Sequence, residues 1–247
     1  MSEIKRNISK LFIILIIGGV GGILADQFFL PYLSTIPVFS KIEFIHRTGN
    51  GTTIINPTEK ITITENIAIE QVIEKITPCL VSVQAYKNKE LISQGAGFVV
   101  TSDGLIITAA DLVSAKADQY LIFRNSHSLV AKISKVDLEN NLALLKTEET
   151  NLPVVSFINL DDLRLGERAI LTSVELNKSK LSYFVNLGII RSINDEGIKI
   201  NIIQEDVLAN GSPLINIKGD VIGLNLIDEN GIIKIVSVKI IKKFIGL

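Results

Sequence analysis

Gly95–Val113 reads GAGFVVTSDGLIITAADLV. Two runs of small, apolar and β-branched residues, Gly95–Thr101 and Gly104–Ala110, meet at Asp103-Gly104. Asp-Gly between two such runs is a tight-turn signal, and Val and Ile fit a pleated surface. The stretch therefore reads as two short strands joined by a turn.

The pattern continues on both sides. LVSVQAY precedes it. YLIFRN, SLVAKISKV, LALLKT, RAILTSV, FVNLGIIRSI, IKINII, PLINIKGDVIGLNLI and IIKIVSVKII follow. Asn125-Ser126, Lys218-Gly219 and Asn230-Gly231 punctuate these runs as Asp103-Gly104 does. About eleven or twelve short strands with almost no helix predict an all-β barrel or sandwich pair. Ahead of them, TENIAIEQVIEKI places Ile69, Val72, Ile73 and Ile76 at i, i+3, i+4 and i+7. That spacing predicts a short amphipathic helix, with Thr64 as a cap and Pro78 as its stop.

The N-terminus has a different character. Lys5, Arg6 and Lys10 precede an uncharged run, Leu11–Ala25, LFIILIIGGVGGILA. Fifteen helical residues reach about 22 Å, short of a ~30 Å hydrocarbon core. Adding Ile8 and the FFLPYL segment after Asp26 and Gln27 completes a span. The expected layout is a cytoplasmic 1–10, a transmembrane anchor 11–33, a stalk 34–64 and a domain 65–247 facing outward. The alternative is a cleaved signal ending at Ala25, but Ile23 is not the small residue expected two places before it. Gly18 and Gly22 form a GxxxG face, a weak pairing signal. Pro37, Gly49, Gly51 and Pro57 punctuate the stalk, and TTIINPTEKITIT holds an alternating stretch suited to an edge strand.

Composition excludes several classes. Lys+Arg is 25 and Asp+Glu is 26, a net charge of −1, so no broad footprint for nucleic acid exists. Mean hydropathy is +0.39. The one cysteine, Cys79, permits no intrachain disulfide and reads as a small buried hydrophobe. His46 and His127 lie far apart and share no metal-ligand spacing, so neither metal nor cofactor is expected. No phosphate-binding loop of GxxxxGK[ST] or GxGxxG form appears. Asp161 and Asp162 read as a solvated turn. Asn50 and Asn210 sit in glycosylation sequons by form alone. Lys239, Lys242 and Lys243 read as solvated or near lipid headgroups.

Five segments carry a resemblance: AIEQVIEKITPCLVSVQAY, GAGFVVTSDGLIITAADLV, VDLENNLALLKTEETNLPVV, LDDLRLGERAILTS and GSPLINIKGDVIGLNLI. Together they resemble the trypsin-like protease domain of the HtrA family over about residues 65–247. The resemblance implies a chymotrypsin-type double β-barrel, dividing near 150–165, in an extracytoplasmic protein with an N-terminal anchor. It also implies a C-terminal PDZ domain, which the sequence does not show, and a tendency to form oligomers.

The family works through a Ser-His-Asp triad and backbone oxyanion donors. At the histidine place, IITAADLV has Asp111; at the aspartate place, NNLALLK has Asn141. At the nucleophile, LANGSPLIN aligned on Pro213-Leu214 without a gap puts Asn210 at the serine. It puts Leu208 at the glycine whose amide helps form the oxyanion hole. A short deletion puts Ser212 at the nucleophile instead, directly before Pro213, with Gly211 the one remaining glycine of the loop. No histidine is expected nearby. An aspartate of ordinary pKa near 4 is a poor base at neutral pH, and a lysine base, Lys146 or Lys218, would need burial.

The expected function is a membrane-anchored, extracytoplasmic pseudoprotease that binds protein or peptide segments, or acts as scaffold or decoy, alone as a homo-oligomer or beside an active relative. The alternatives are a serine endopeptidase using Ser212 with a non-histidine base, and a purely structural envelope domain.

Overall fold

The computed structural model describes residues 2–29, 32, 58–113, 116–125, 127–178, 180–194 and 197–247. Residues 34–57, most of the expected stalk, lie outside these, as do His46 and Asn50. The chain divides into two compact units, Met1–Lys60 and Ile61–Leu247.

The first unit holds helix α1 (Ser2–Leu24), which runs into a wider turn, Ala25–Phe29. The helix takes in the basic flank as well as the apolar run. Phe12–Phe29, of mean hydropathy 2.0, is long and apolar enough to cross a membrane, and its side chains are exposed.

Helix α2 (Thr58–Ile76) begins within the last residues of the first unit and supplies the first element of the second. The helix starts six residues ahead of Thr64, so Thr64 lies inside it rather than at its N-terminus, and residues 58–64 are helical rather than an edge strand. Its expected apolar face meets the core: Val72 and Ile76 are buried, and Ile69 and Ile73 pack beside them. The chain leaves the helix through a tight turn, Thr77–Cys79, where the Thr77 hydroxyl donates to the Ile73 carbonyl at 2.6 Å. Pro78 lacks the N–H that would continue the ladder.

Six strands then close a barrel: β1 (Leu80–Lys87), β2 (Glu90–Val99), β3 (Leu105–Ala109), β4 (Gln119–Arg124), β5 (His127–Asp137) and β6 (Leu142–Thr147). Their order is β1-β2-β3-β6-β5-β4, with β4 pairing back to β1. Gly104, at φ +100°, makes the turn expected at Asp103-Gly104; a Cβ there would stand 2.7 Å from the Thr147 carbonyl. The β1–β2 hairpin has no glycine signal. Its turn is Asn88-Lys89, both left-handed at φ 51° and 69°, which suits the twist of a two-residue hairpin.

The second barrel forms from a seven-stranded sheet: β7 (Ser156–Phe157), β8 (Arg168–Asn177), β9 (Lys180–Asn194), β10 (Gly197–Ile200), β11 (Pro213–Ile215), β12 (Asp220–Ile227) and β13 (Ile233–Ser237). The main path is β10-β9-β8-β11-β12-β13, and β7 lies parallel to β12. Helix α3 (Val238–Ile245) ends at Gly246 in the left-handed region.

Three apolar clusters follow from strand alternation. Val83, Ile106 and Leu145 fill the first barrel. Leu171, Leu214 and Ile222 fill the second. Phe98, Ile107, Ile170 and Ile215 face each other between the barrels, sealed by Ile76 of α2 and Ile241 and Phe244 of α3. Cys79 is buried in this last cluster, and burial pushes its thiol pKa up.

Candidate functional site

Three segments converge between the barrels. Asp111 sits in the tight turn Ala110–Leu112 that ends β3. Asn141 closes the turn before β6 at φ 52°, a conformation asparagine tolerates better than most side chains. Asn210 follows the tight turn Val207–Ala209 ahead of β11. Far apart in sequence, these three meet through their side chains.

The Asn141 Nδ2 donates to Asp111 Oδ2 at 3.0 Å, and the Asn210 Nδ2 donates to Asp111 Oδ1 at 2.8 Å. The backbone fixes the orientation of both amides. The Asp111 N–H donates to Asn141 Oδ1 at 2.9 Å, and the Ile227 N–H donates to Asn210 Oδ1 at 3.1 Å. With each amide oxygen facing an N–H, each amide nitrogen must face the carboxylate. Asp111 is exposed, Asn141 half-buried and Asn210 buried. The result is a carboxylate with one amide donor on each oxygen and, among the described residues, no histidine bonded to it.

The backbone around Asn210 is equally committed. The Leu208 N–H donates to the Asp206 carboxylate at 2.8 Å. The Ala209 N–H donates to the Asp206 carbonyl, Asn210 N–H to Val207, Gly211 N–H to Asn225 and Ser212 N–H to Ala209, all within 3.0 Å. No amide from Leu208 to Ser212 points outward to receive an oxyanion. Asp206, the cap of the turn, takes the first two of these amides, Leu208 through its carboxylate and Ala209 through its carbonyl. Its role escaped the sequence reading, although an aspartate just ahead of a turn is a recognised signal.

Gly211 carries φ +87°, and a Cβ there would lie 2.3 Å from the Ala96 carbonyl oxygen. Only glycine fits. The same contact pins the loop to the first barrel, where the Ala96 N–H donates to the Asn210 carbonyl at 2.8 Å.

Ser212 is fully buried. Its Oγ accepts from the Asn225 Nδ2 at 3.1 Å, a partner the sequence reading did not single out. Lys146 is held by Asp103, with Nζ 2.9 Å from the carboxylate. Hydrogen bonds from Thr101 and Lys146 keep the Asp103 carboxyl below its usual range. Lys218 is exposed in the β11–β12 turn and His127 is exposed at the start of β5. Asp161 and Asp162 are exposed in a turn, as expected. Among the described residues no group of three His, Cys, Asp or Glu side chains stands where it would hold a metal.

Comparison with known proteins supports the architecture. A family model, the trypsin-like peptidase domain, matches residues 95–224. Serine protease HTRA1A of Danio rerio is 32% identical over 200 residues, covering 74% of this chain and 41% of that protein. A "Probable periplasmic serine endoprotease DegP-like" of Hahella chejuensis is 32% identical over 145 residues, covering 56% and 30%. The chain thus spans less than half the length of these relatives. Among solved structures, the serine endoprotease from Yersinia pestis superposes with a TM-score of 0.61 at 20% identity, over 72% of this chain and 65% of that one. Deg5 superposes with a TM-score of 0.61 at 19% identity, over 72% and 92%. On fold, sequence match and relatives alike, the chain belongs to the trypsin-like peptidase family, as an HtrA-type serine protease domain.

Proposed function

We propose that this HtrA-type domain is catalytically silent and engages protein or peptide segments without cutting them. The observation that carries this reading is the Asp111 carboxylate bonded by an asparagine amide on each oxygen. Asp111, Asn141 and Asn210 take the places of histidine, aspartate and serine, and they bond to one another as a closed amide–carboxylate set. Proton transfer needs a base whose pKa lies near the working pH, and among the described residues no histidine stands at this site. Loss of a triad member elsewhere leaves about 10³–10⁴-fold catalysis over water, owed to the oxyanion hole and binding. With the amides of Leu208–Ser212 already bonded within the loop or, for Gly211, to Asn225 of β12, that remainder has no donor to rest on. The buried Ser212, directly before Pro213, offers no replacement nucleophile.

The apolar helix around Phe12–Phe29 supports attachment to a membrane, with residues 11–33 as the anchor and 65–247 as the displayed domain. The basic flank at Lys5, Arg6 and Lys10 and the periplasmic relative favour display outside the cytoplasm. In that setting the domain serves as scaffold or decoy, as a homo-oligomer or beside an active relative.

The test is incubation of the purified full chain with unfolded casein, followed by mass spectrometry and a pull-down of the same substrate. The reading expects retained, uncut casein. Fragments that persist after removal of contaminating proteases would refute it.

A further inference from the structure

The first half of β9 has an open edge. β9 pairs with β8 from Lys180 to Ile189, and with β10 only from Ile190 onward. In an antiparallel ladder successive residues turn their N–H and C=O groups to alternate sides. Ile190 bonds on the β8 side, to Gly166 and Glu167, whereas Ile189 bonds on the outer side, to Asn201. The groups of Leu181, Tyr183, Val185 and Leu187 therefore point outward as well. Among the described residues these four outward pairs have no hydrogen-bond partner.

The edge is also undefended. Tyr183, Val185 and Leu187 lie on one face by strand alternation and are 40%, 41% and 44% exposed. From Leu181 to Ile190 the sequence holds no charged residue and no proline, the usual guards of an open edge against pairing.

The charges at the two ends of this edge select what pairs with it. Lys180 begins the strand and is exposed; Glu205 stands at the far end, its Oε2 accepting from the Asn186 Nδ2 at 2.8 Å. Among the described residues neither forms a salt bridge. A second copy of the same edge, laid antiparallel about Tyr183, sets Leu181 opposite the partner's Val185 and Lys180 opposite the partner's Asn186. Lys180 then shares a face with the partner's Glu205, and the two-fold axis makes that contact twice. Centring on Val185 would instead set Lys180 opposite Ile190, beyond the point where Asn201 already takes the outer groups of Ile189.

We infer that two copies of this chain join through their β9 edges into one continuous antiparallel sheet, with Tyr183 on the two-fold axis and Lys180 paired with Glu205 across it. The inference rests on the homo-oligomer in the function proposed above and specifies its interface. It does not depend on the silence of the Asp111 site.

The experiment uses the full chain in nonionic detergent. Sedimentation equilibrium reads the oligomeric state, and oxidative cross-linking reads the register. The expected result is a dimer. Val185→Lys should make it monomeric, and Lys180→Glu should weaken it about tenfold by turning two attractions into repulsions. Both positions are exposed, and an unchanged melting temperature verifies that the variants fold. Tyr183→Cys should cross-link to its own copy, because a hydrogen-bonded antiparallel pair sets its Cα atoms about 5.5 Å apart, within disulfide reach. Leu187→Cys should not, because the two copies of that position lie about 27 Å apart along the sheet. Cys79 is buried and gives no cross-link of its own.

Three results would overturn the proposal: a monomer, a dimer that survives both Val185→Lys and Lys180→Glu, or cross-linking of Leu187→Cys as readily as Tyr183→Cys. So would a dimer lost in the Gly18→Leu, Gly22→Leu variant while Val185→Lys keeps it, which would assign pairing to α1. Casein that is retained uncut by a monomeric chain would sink this interface and leave the silent-binder reading standing. Casein cut by a chain that dimerises through Tyr183 would do the reverse.

Discussion

The Asp111 carboxylate and the Asn210 amide stand 2.8 Å apart, one from each barrel; in the proposed reading they take the places of an HtrA protease's histidine and serine. On that reading a proton-transfer pair has become a static hydrogen bond that ties the two barrels together. Several outcomes follow from this exchange of chemistry for structure.

Asp111→Ala should lower stability. It strips the acceptor from the buried Asn210 amide, and an unsatisfied buried donor costs about 1–3 kcal/mol. The Asn141 amide, half-buried, regains water and adds less. Thermal melting of the full chain checks this; an unchanged melting temperature would mean the bond contributes nothing.

Restoring the triad residues should not restore the enzyme. The triple variant Asp111→His, Asn141→Asp, Asn210→Ser regains the side chains but leaves the Leu208 N–H on Asp206. One oxyanion donor is worth about 10²–10³ in kcat. Adding Asp206→Gly frees that donor, so the quadruple variant should exceed the triple in peptide hydrolysis. Equal rates would show that Asp206 does not hold the loop closed.

Gly211→Ala should be among the most damaging single changes in the domain. It combines a left-handed backbone with a Cβ 2.3 Å from a carbonyl oxygen. Left-handed strain alone costs about 1–3 kcal/mol, and the clash adds to it. Soluble yield and urea unfolding report the loss; a wild-type midpoint would contradict the geometry.

Cys79 should resist alkylation in the folded chain. Burial raises its pKa, so the reactive thiolate is scarce and sterically shielded. Iodoacetamide at mild alkaline pH should label it only after denaturant is added. Fast labelling of the native chain would mean the junction of α2 and β1 opens readily.

Much of this was legible in the sequence. The turn at Gly104 and the apolar face of α2 follow from local patterns that tertiary packing reinforces. The places of Asp111, Asn141 and Asn210 came from resemblance, since no local pattern says that residues 99 positions apart will touch. Their mutual bonding was not legible, because it depends on where Ile227 and Asn141 aim their backbone and amide groups. The start of α2 was missed because Thr58, Ile61, Thr62 and Ile63 are β-branched and alternate as a strand would, while the structure extends the helix through them. The Asn88-Lys89 turn was missed because left-handed turns are usually marked by glycine, and here an asparagine and a lysine adopt them. Asp206 and Asn225 act through bonds to a loop and a neighbouring strand that only the folded chain brings near.

The most direct measurement is intact-mass analysis of the full chain after exposure to a fluorophosphonate probe, beside an active HtrA protease as control. The proposed silent site predicts no adduct on this chain while the control is fully modified. A stoichiometric adduct that disappears with Ser212→Ala would contradict the account and identify the chain as a working serine hydrolase.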